Sequence, residues 1–135
     1  MPIIFDHDKL QVYQTAIQFV GWSETILQKA SKGLAVYGQL DRAATSVPLN
    51  IAEGNGKFTP ADRCRFFDIA RGSALECAAC LDVLVARKLA TEQEISDGKA
   101  KLAGIVSMLV GLIRSNAAAR VHEEPGTYGG GKEED

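Results

Sequence analysis

Hydrophobic residues recur at three- and four-residue spacing along four long segments of the chain, and short stretches rich in glycine or polar residues separate them. This spacing is typical of amphipathic helices. The predicted helices run from about Asp8 to Lys32, from the Gly33–Gly38 link to Gly54 or Gly56, from Thr59 to about Lys88, and from Thr91 to about Ala118. Because short links favour antiparallel neighbours, the sequence predicts an all-α, antiparallel up-down four-helix bundle.

Two of these helices begin with capping sequences. Thr59 is followed by Pro60 and Asp62, which places a hydroxyl cap, a proline in the first turn and a carboxylate near the positive helix end. Thr91 and Glu94 have the spacing of a capping box. Pro48 lies inside the second helix, where its missing N–H and its ring predict a kink.

The apolar stripes predict which side of a helix faces the core. In the first helix we expect the buried stripe to comprise Leu10, Tyr13, Ile17, Val20 and Leu27. In the fourth helix a heptad-like stripe comprises Ile95, Leu102, Ile105, Leu109 and Leu112.

The third and fourth helices carry more apolar surface than one core can bury. Leu102 to Ile113 contains no charged residue, and Cys77 to Ala86 contains only Asp82. Monomeric proteins avoid large exposed apolar patches, so we predict a homo-oligomer built mainly through these two helices. The alternative is a monomer with an apolar surface. Since glycines permit close approach of another helix, the predicted contacts are Gly104, Met108 and Gly111.

Length and composition fit one domain with an acidic end. The chain has 135 residues, of which 46% are hydrophobic and 24% charged, as in ordinary globular proteins. Five acidic residues and one basic residue lie from Val121 onward, which leaves 14 basic and 12 acidic residues in 1–120. We predict a domain over residues 1–120 and a flexible, acidic, glycine-rich tail over 121–135.

Cysteine content and hydropathy predict a cytoplasmic protein without a membrane segment. Three cysteines, an odd number, and the lack of an apolar signal segment are typical of the reducing cytoplasm. The longest uncharged run, Leu102 to Ile113, is shorter than the roughly 20 residues that a bilayer span needs.

Two stretches place polar side chains among apolar neighbours at helical spacing. They are Gln39 to Gly56, QLDRAATSVPLNIAEGNG, and Phe66 to Glu76, FFDIARGSALE. One interpretation is a contact with a ligand or nucleic acid. The interpretation we favour is a paired polar seam that fixes helix register, with an ion pair from Arg42 to Glu76 or Glu53. The seam residues are Arg42, Ser46, Asn50 and Glu53 on the second helix, and Ser73 and Glu76 on the third.

Positive charge is concentrated around the junction of the second and third helices, at Lys57, Arg63, Arg65 and Arg71. These side chains suit contacts with nucleic-acid phosphates. We expect the neighbouring Phe58, Phe66 and Phe67 to pack inward rather than form a base-stacking platform, so a solvated face is the favoured interpretation. Repetition of the patch around a ring would nevertheless multiply a weak affinity.

No pattern predicts catalysis, a metal site or a cofactor. Cys77 and Cys80 form C-x-x-C inside a helix, with no further ligand nearby for a tetrahedral metal, so we interpret them as small core residues. The chain has no Glu-x-x-His pair of the di-iron bundles, no phosphate-binding glycine loop and no histidine placed to activate a hydroxyl. No small-molecule substrate is indicated.

The two polar stretches resemble a known family, the bacterial four-helix bundle proteins encoded in intervening sequences of 23S ribosomal RNA genes, sometimes called the S23 ribosomal protein family. The resemblance covers about Leu10 to Asn116. It is carried by Gln39, Leu40, Arg42-Ala43-Ala44, Ser46-Val47-Pro48, Asn50-Ile51-Ala52-Glu53-Gly54, Ile69-Ala70, Gly72-Ser73 and Glu76.

The resemblance implies a homopentamer, in which five bundles form a barrel around a central channel. A related protein is the accessory variability determinant of diversity-generating retroelements, for which the resemblance implies binding of nucleic acid and of a reverse transcriptase. The present chain departs from strongly basic relatives because its predicted domain is only slightly positive and its tail is acidic.

We therefore expect a cytoplasmic, non-enzymatic homo-oligomer, a pentamer by resemblance, that acts as a scaffold for a protein or ribonucleoprotein partner. The alternative is a nucleic-acid-binding accessory protein that presents Lys57, Arg63, Arg65 and Arg71 around a ring.

Overall fold

The computed structural model describes residues 4–29 and 34–123, which form an all-α fold without a strand in either range. The elements are a short 3-10 helix (Asp6–Lys9) and the helices α1 (Gln11–Leu27), α2 (Ala35–Asn55), α3 (Pro60–Ala86) and α4 (Glu92–Glu123). The four predicted helices are present. The first is shorter than predicted, with the 3-10 helix in front of it, and the last extends beyond Ala118.

Each helix packs against two others. α2 contacts α1 and α3, and α4 contacts α3 and α1. Within the described ranges no Cα atom of α1 lies within 8 Å of one in α3, and the same holds for α2 and α4. The four helices therefore surround one core, with α2 and α4 on opposite sides of it.

The core contains residues from all four helices. Its largest fully buried side chains include Phe19 of α1, Leu40 and Ile51 of α2, Phe67 and Leu81 of α3, and Leu102 and Leu109 of α4. Burying one such side chain stabilises the fold by about 1.5–3 kcal/mol. The predicted stripe of α4 is confirmed, since Ile95, Leu102, Ile105 and Leu109 are buried and Leu112 packs against them.

The predicted stripe of the first helix is correct only in part: Leu10, Tyr13 and Leu27 are half-buried and pack against the core. The buried residues of this helix are Val12, Ala16, Phe19, Ser23 and Ile26, whereas Ile17 is 47% exposed. Two small residues, Ala16 and Ser23, turn toward the core, and the Ser23 hydroxyl donates to the carbonyl of Val20 at 2.7 Å. A prediction based only on the positions of large apolar residues misses a buried face on which small residues permit close packing.

Both predicted capping sequences begin helices as expected. The Thr59 hydroxyl accepts the backbone N–H of Asp62 at 3.2 Å at the start of α3. Before α4, the Thr91 hydroxyl accepts the N–H of Glu94 at 3.1 Å, and the Glu94 carboxylate accepts the N–H of Thr91 at 2.8 Å. These reciprocal bonds satisfy N–H groups that have no partner within the helix.

The end of α3 adopts a Schellman motif around Lys88. The N–H of Leu89 donates to the carbonyl of Leu84 at 2.8 Å, and the N–H of Lys88 donates to that of Val85 at 2.9 Å. Lys88 has φ 63°, a left-handed conformation in which glycine is the usual residue. Lys88 adopts this conformation although it costs a residue other than glycine about 1–2 kcal/mol.

Two sequence predictions concern Pro48 and the tail. Pro48 is buried inside α2, which is assigned as one helix from Ala35 to Asn55, and the predicted kink stays a prediction. α4 continues to Glu123, past the predicted domain boundary at residue 120. The remainder of the predicted tail, 124–135, lies outside the described residues.

Gly98 allows α1 and α4 to pack closely at Trp22. A Cβ atom at Gly98 would overlap the Trp22 ring. The ring is half-buried, packs against the core and lies 5.6 Å from Phe19 between centroids. The absence of a side chain at Gly98 therefore provides the space that the indole occupies.

We predict that Gly98→Ala lowers the free energy of unfolding by about 1–3 kcal/mol, because overpacking against the Trp22 ring outweighs the better helix propensity of alanine. Urea denaturation followed by circular dichroism measures the change. Gly21→Ala is the matched control, since a Cβ there meets nothing within 4 Å, and it should raise stability by up to about 1 kcal/mol. Equal effects of the two substitutions would contradict the close packing at Trp22.

Candidate interaction surfaces

Three of the predicted seam residues form a hydrogen-bonded cluster between α2 and α3. The hydroxyl oxygens of Ser46 and Ser73 are 2.8 Å apart. The Asn50 amide nitrogen donates to the hydroxyl and to the carbonyl of Ser46, at 2.9 Å each. All three side chains are half-buried, so the cluster links the two helices at one level and favours a single register.

The charged seam residues lie on the outside of the chain instead. Arg42, Glu53 and Glu76 are exposed, because they point away from the core on their helices. The predicted ion pair from Arg42 to Glu76 or Glu53 is wrong for the single chain, since neither pair forms within the described residues. The Glu53 carboxylate lies 3.7 Å from the Lys57 ammonium, an exposed pair worth about 0–1 kcal/mol.

Large aliphatic side chains project from the outer side of α2 and α3. We call this surface the α2–α3 face and define it by Leu49 (62% exposed), Ile69 (45%) and Val83 (40%). Leu75 is also exposed, but it lies about 200° around α3 from Ser73, the residue that bonds α2, and therefore on another side of the helix. The sequence analysis did not single out Leu49 or Val83. Leu49 is seven residues after Arg42 and four before Glu53, so it lies on the same side of the helix as they do. This spacing could have identified Leu49 as a surface residue from the sequence.

The outer side of α4 is apolar but flat. We call it the α4 face and define it by the exposed residues Ala100, Ala103, Ser107 and Gly111. Gly104 and Gly111, both predicted contacts, have open space where a Cβ would be. Met108, the third predicted contact, is half-buried and packs against the core. One chain therefore leaves this side of α4 exposed, and the predicted oligomer contacts on it stay a prediction.

The composition of α4 is unusual for a helix with so exposed a surface. By length and composition alone, Glu92–Ala118 is long and apolar enough to cross a membrane, and 17% of its most apolar 18-residue window is buried within the chain. Such a helix is weak evidence for a membrane span, because helices of soluble cores pass the same test. Few residues of this window are fully buried in one chain, although several others, including Val106, Met108 and Leu112, are half-buried and pack against the core.

Three of the four predicted basic contacts are paired with carboxylates. Lys57 lies 3.7 Å from Glu53, Arg65 lies 3.5 Å from Asp62, and Arg71 lies 2.9 Å from Asp68. Each pair joins residues three or four apart on a helix, so the local sequence neutralises much of the patch.

Arg63, the fourth predicted basic contact, is a half-buried structural residue. Its Nη1 donates to the Asn55 carbonyl at 2.6 Å, and its Nε donates to the Asn116 side-chain oxygen at 2.9 Å. The guanidinium carbon lies 5.5 Å from the centroid of the Phe67 ring. Arg63 therefore joins the end of α2 to α3 and α4. The structural role of Arg63 was not predicted, because Asn55 and Asn116 are far apart in the sequence and no local pattern links them to Arg63.

The three phenylalanines near this junction have three different environments. Phe67 is buried, as predicted. Phe66 is half-buried, with Lys57 Nζ 5.0 Å and the Arg65 guanidinium carbon 4.8 Å from its ring centroid. Phe58 is 100% exposed, so the prediction that it packs inward is wrong. It lies in the turn before α3, outside the core-facing side of either helix.

A cleft of about 290 Å³ opens between the start of α2 and the end of α3. Its walls are mostly apolar, and it shares Val83 with the α2–α3 face. The side chains around it are Leu34, Ala35, Val36, Gln39, Glu76, Ala79, Cys80, Val83 and Arg87. It provides a concave extension of the α2–α3 face.

The C-x-x-C cysteines are buried side chains with poorly ionised thiols. Burial, together with the nearby Cys80 and Glu76, raises the pKa of Cys77 to about 12. Burial, with Glu76 again nearby, also raises the pKa of Cys80. Because the thiolate is the reactive and metal-binding form, these positions fit small core residues. Over residues 4–29 and 34–123, no group of three His, Cys, Asp or Glu side chains is placed to hold a metal ion.

The chain matches the family described as 23S rRNA-intervening sequence protein over residues 8–111, and it belongs to that family. Its fold is similar to the 1.70 Å crystal structure of a protein of unknown function from the S23 ribosomal protein family of Bacteroides thetaiotaomicron. The two are 21% identical with a TM-score of 0.72, and the similarity covers 76% of this chain and 98% of the other. No curated protein matches the chain.

We predict that Arg63→Lys lowers the free energy of unfolding by about 1–3 kcal/mol. A lysine lacks the planar fork that bonds Asn55 and Asn116 together, and it leaves half-buried acceptors unsatisfied. Arg65→Lys is the control, because the exposed Arg65 makes one weak pair with Asp62, and it should change stability by less than about 0.5 kcal/mol. Similar losses in both variants, measured by urea denaturation, would show that Arg63 has no special structural role.

Proposed function

We propose that this member of the 23S rRNA-intervening sequence protein family is a non-enzymatic, cytoplasmic homo-oligomer that acts as a scaffold for a protein or ribonucleoprotein partner. The observation that carries the proposal is the apolar surface that one chain leaves uncovered. The α2–α3 face exposes three large aliphatic side chains, and the outer side of α4 exposes small residues with no charge among them. Self-association removes such surfaces from water.

The finer architecture forms part of the same proposal. We infer consecutive helices that run antiparallel, a bend of α2 at Pro48, and a closed ring of copies, with five as the number that the family resemblance implies. The short connection from Asn55 to Pro60 and the hydrogen bonds of Arg63 on either side of it support the antiparallel pairing of α2 and α3.

A scaffold also fits the chemistry of the surface. Several exposed charges on or beside α2 and α3 form local pairs, and burial raises the pKa values of the Cys77 and Cys80 thiols. Neither comparison carries the name of an enzyme: the family is described by its gene location, and the similar structure is of unknown function. The proposed role therefore depends on shape and self-association rather than on a reaction.

We predict that the purified protein at micromolar concentration sediments as a closed oligomer, with five times the chain mass of 14.5 kDa for a pentamer. Burial of apolar surface between copies is the driving force. Sedimentation velocity over a hundredfold range of concentration measures the mass. A single 14.5 kDa particle throughout that range would contradict the proposal.

The alternative function is nucleic-acid binding, and one observation favours it. The fully exposed Phe58 follows Lys57 directly and lies in the turn before Arg63 and Arg65. Exposed aromatic rings beside cations are what proteins use to stack single-stranded bases. The carboxylate partners of Lys57 and Arg65 weigh against this alternative, because phosphate would have to replace Glu53 and Asp62.

If the alternative is correct, Phe58→Ala weakens binding to single-stranded RNA at least fivefold, since stacking contributes about 1–3 kcal/mol per base. Fluorescence anisotropy with a labelled oligonucleotide at several salt concentrations measures both affinity and its salt slope. Ile17→Ala, also at an exposed apolar side chain but on α1 outside the proposed contact faces, is the control and should leave binding unchanged. No measurable binding at low ionic strength rules out the alternative.

A further inference from the structure

We infer that the α2–α3 face of one copy packs against the α4 face of the next copy, so that the copies associate head to tail. This inference rests on the proposed self-association and adds to it the two surfaces that meet. The sequence prediction placed the contacts mainly on the third and fourth helices, with Gly104, Met108 and Gly111 on the fourth, and the inference adds α2 and pairs the two faces.

The two faces have different shapes. On the α2–α3 face, the Ser46–Ser73 hydrogen bond joins the helices at 2.8 Å, and Leu49 and Ile69 each lie about one turn from it. They form a projecting aliphatic group at the centre of the face. In the described part of α4, by contrast, no large hydrophobic side chain is classed as exposed.

The α4 face has the composition of a surface that receives such side chains. Its exposed positions are alanine, serine and glycine at helical spacing, and a Cβ at Gly104 or Gly111 would meet nothing within 4 Å. Small residues of this kind let another helix approach closely and leave hollows between turns. Projecting leucine and isoleucine side chains fill such hollows better than another flat face would.

Each face also carries a charge without an ion-pair partner in the described part of the chain. Glu76 is exposed on α3, between Ile69 and Val83 along the helix, and Arg114 is exposed on α4, seven residues after Ser107. These charges have opposite sign and suit a pair between copies. Arg42 is likewise exposed without an ion-pair partner there, on the α2 side of the face.

The positions of the two faces decide the type of assembly. The two faces are different surfaces, since α2 and α4 lie on opposite sides of the core. A contact between two different surfaces leaves one of each surface free at the ends of a short chain of copies. Such an assembly adds further copies and closes into a ring where the rotation between neighbours permits closure, which is the closed form proposed above.

Mixing two variants tests this arrangement. Ile69→Lys places a charge on the α2–α3 face, and Ser107→Lys places one on the α4 face. Each variant alone should be monomeric. An equimolar mixture should form a dimer of about twice 14.5 kDa, because the intact α4 face of the first variant meets the intact α2–α3 face of the second. Light scattering coupled to size exclusion measures the masses.

Gln18→Lys is the control, because Gln18 is exposed on α1 outside both faces, and it should assemble as the unaltered protein does. Circular dichroism confirms that each variant is folded, and Val83→Lys replaces Ile69→Lys if that variant unfolds. If the unaltered protein assembles but the mixture stays monomeric, or if Ser107→Lys assembles normally, the inference is wrong while self-association stands. If the unaltered protein is itself monomeric, the proposed function fails.

Discussion

The close packing of α2 against α3 is the constraint on which the rest of the structure depends. A Cβ at Gly54 would lie 3.0 Å from the Phe66 Cβ and from atoms of the Phe67 ring, so the end of α2 rests directly on these side chains. Ala70 and Ala74 are fully buried, and the Ser46–Ser73 bond crosses the same pair of helices. With small residues at the contact, large side chains on the far sides of both helices are left facing outward.

Polar residues recur at helical spacing along α2 and α3, and the close packing of these helices places short and long polar side chains in different environments. Hydroxyl and amide groups short enough to lie between the helices bond to one another there, as Ser46, Asn50 and Ser73 do. Longer charged side chains remain outside, where a nearby carboxylate or ammonium neutralises several of them at little gain in stability. The surface that is left for recognition is therefore chiefly aliphatic, and shape rather than charge distinguishes one side of the molecule from another.

The sequence predicted what local rules control. The helix starts at Thr59 and Thr91 and the buried stripe of α4 follow from capping chemistry and periodicity, and both are present. The buried side of α1 was predicted only in part, because Ala16 and Ser23 face the core whereas Ile17, which was expected there, is exposed. The roles of Arg63 and Gly98 depend on partners 53 and 76 positions away along the chain. No local sequence pattern encodes contacts between residues so far apart. A local pattern also does not show whether a polar side chain on a helix points toward a neighbouring helix or toward solvent.

The hydrogen bonds around Arg63 also have a mechanical consequence. The Asn55 side chain donates to Asp6 at 2.9 Å, Arg63 donates to the Asn55 carbonyl at 2.6 Å, and Arg63 donates to Asn116 at 2.9 Å. These contacts form a direct connection between the first and last described elements. Every link of this polar connection passes through Asn55 or Arg63, so replacing either residue would uncouple the 3-10 helix from α4 along it.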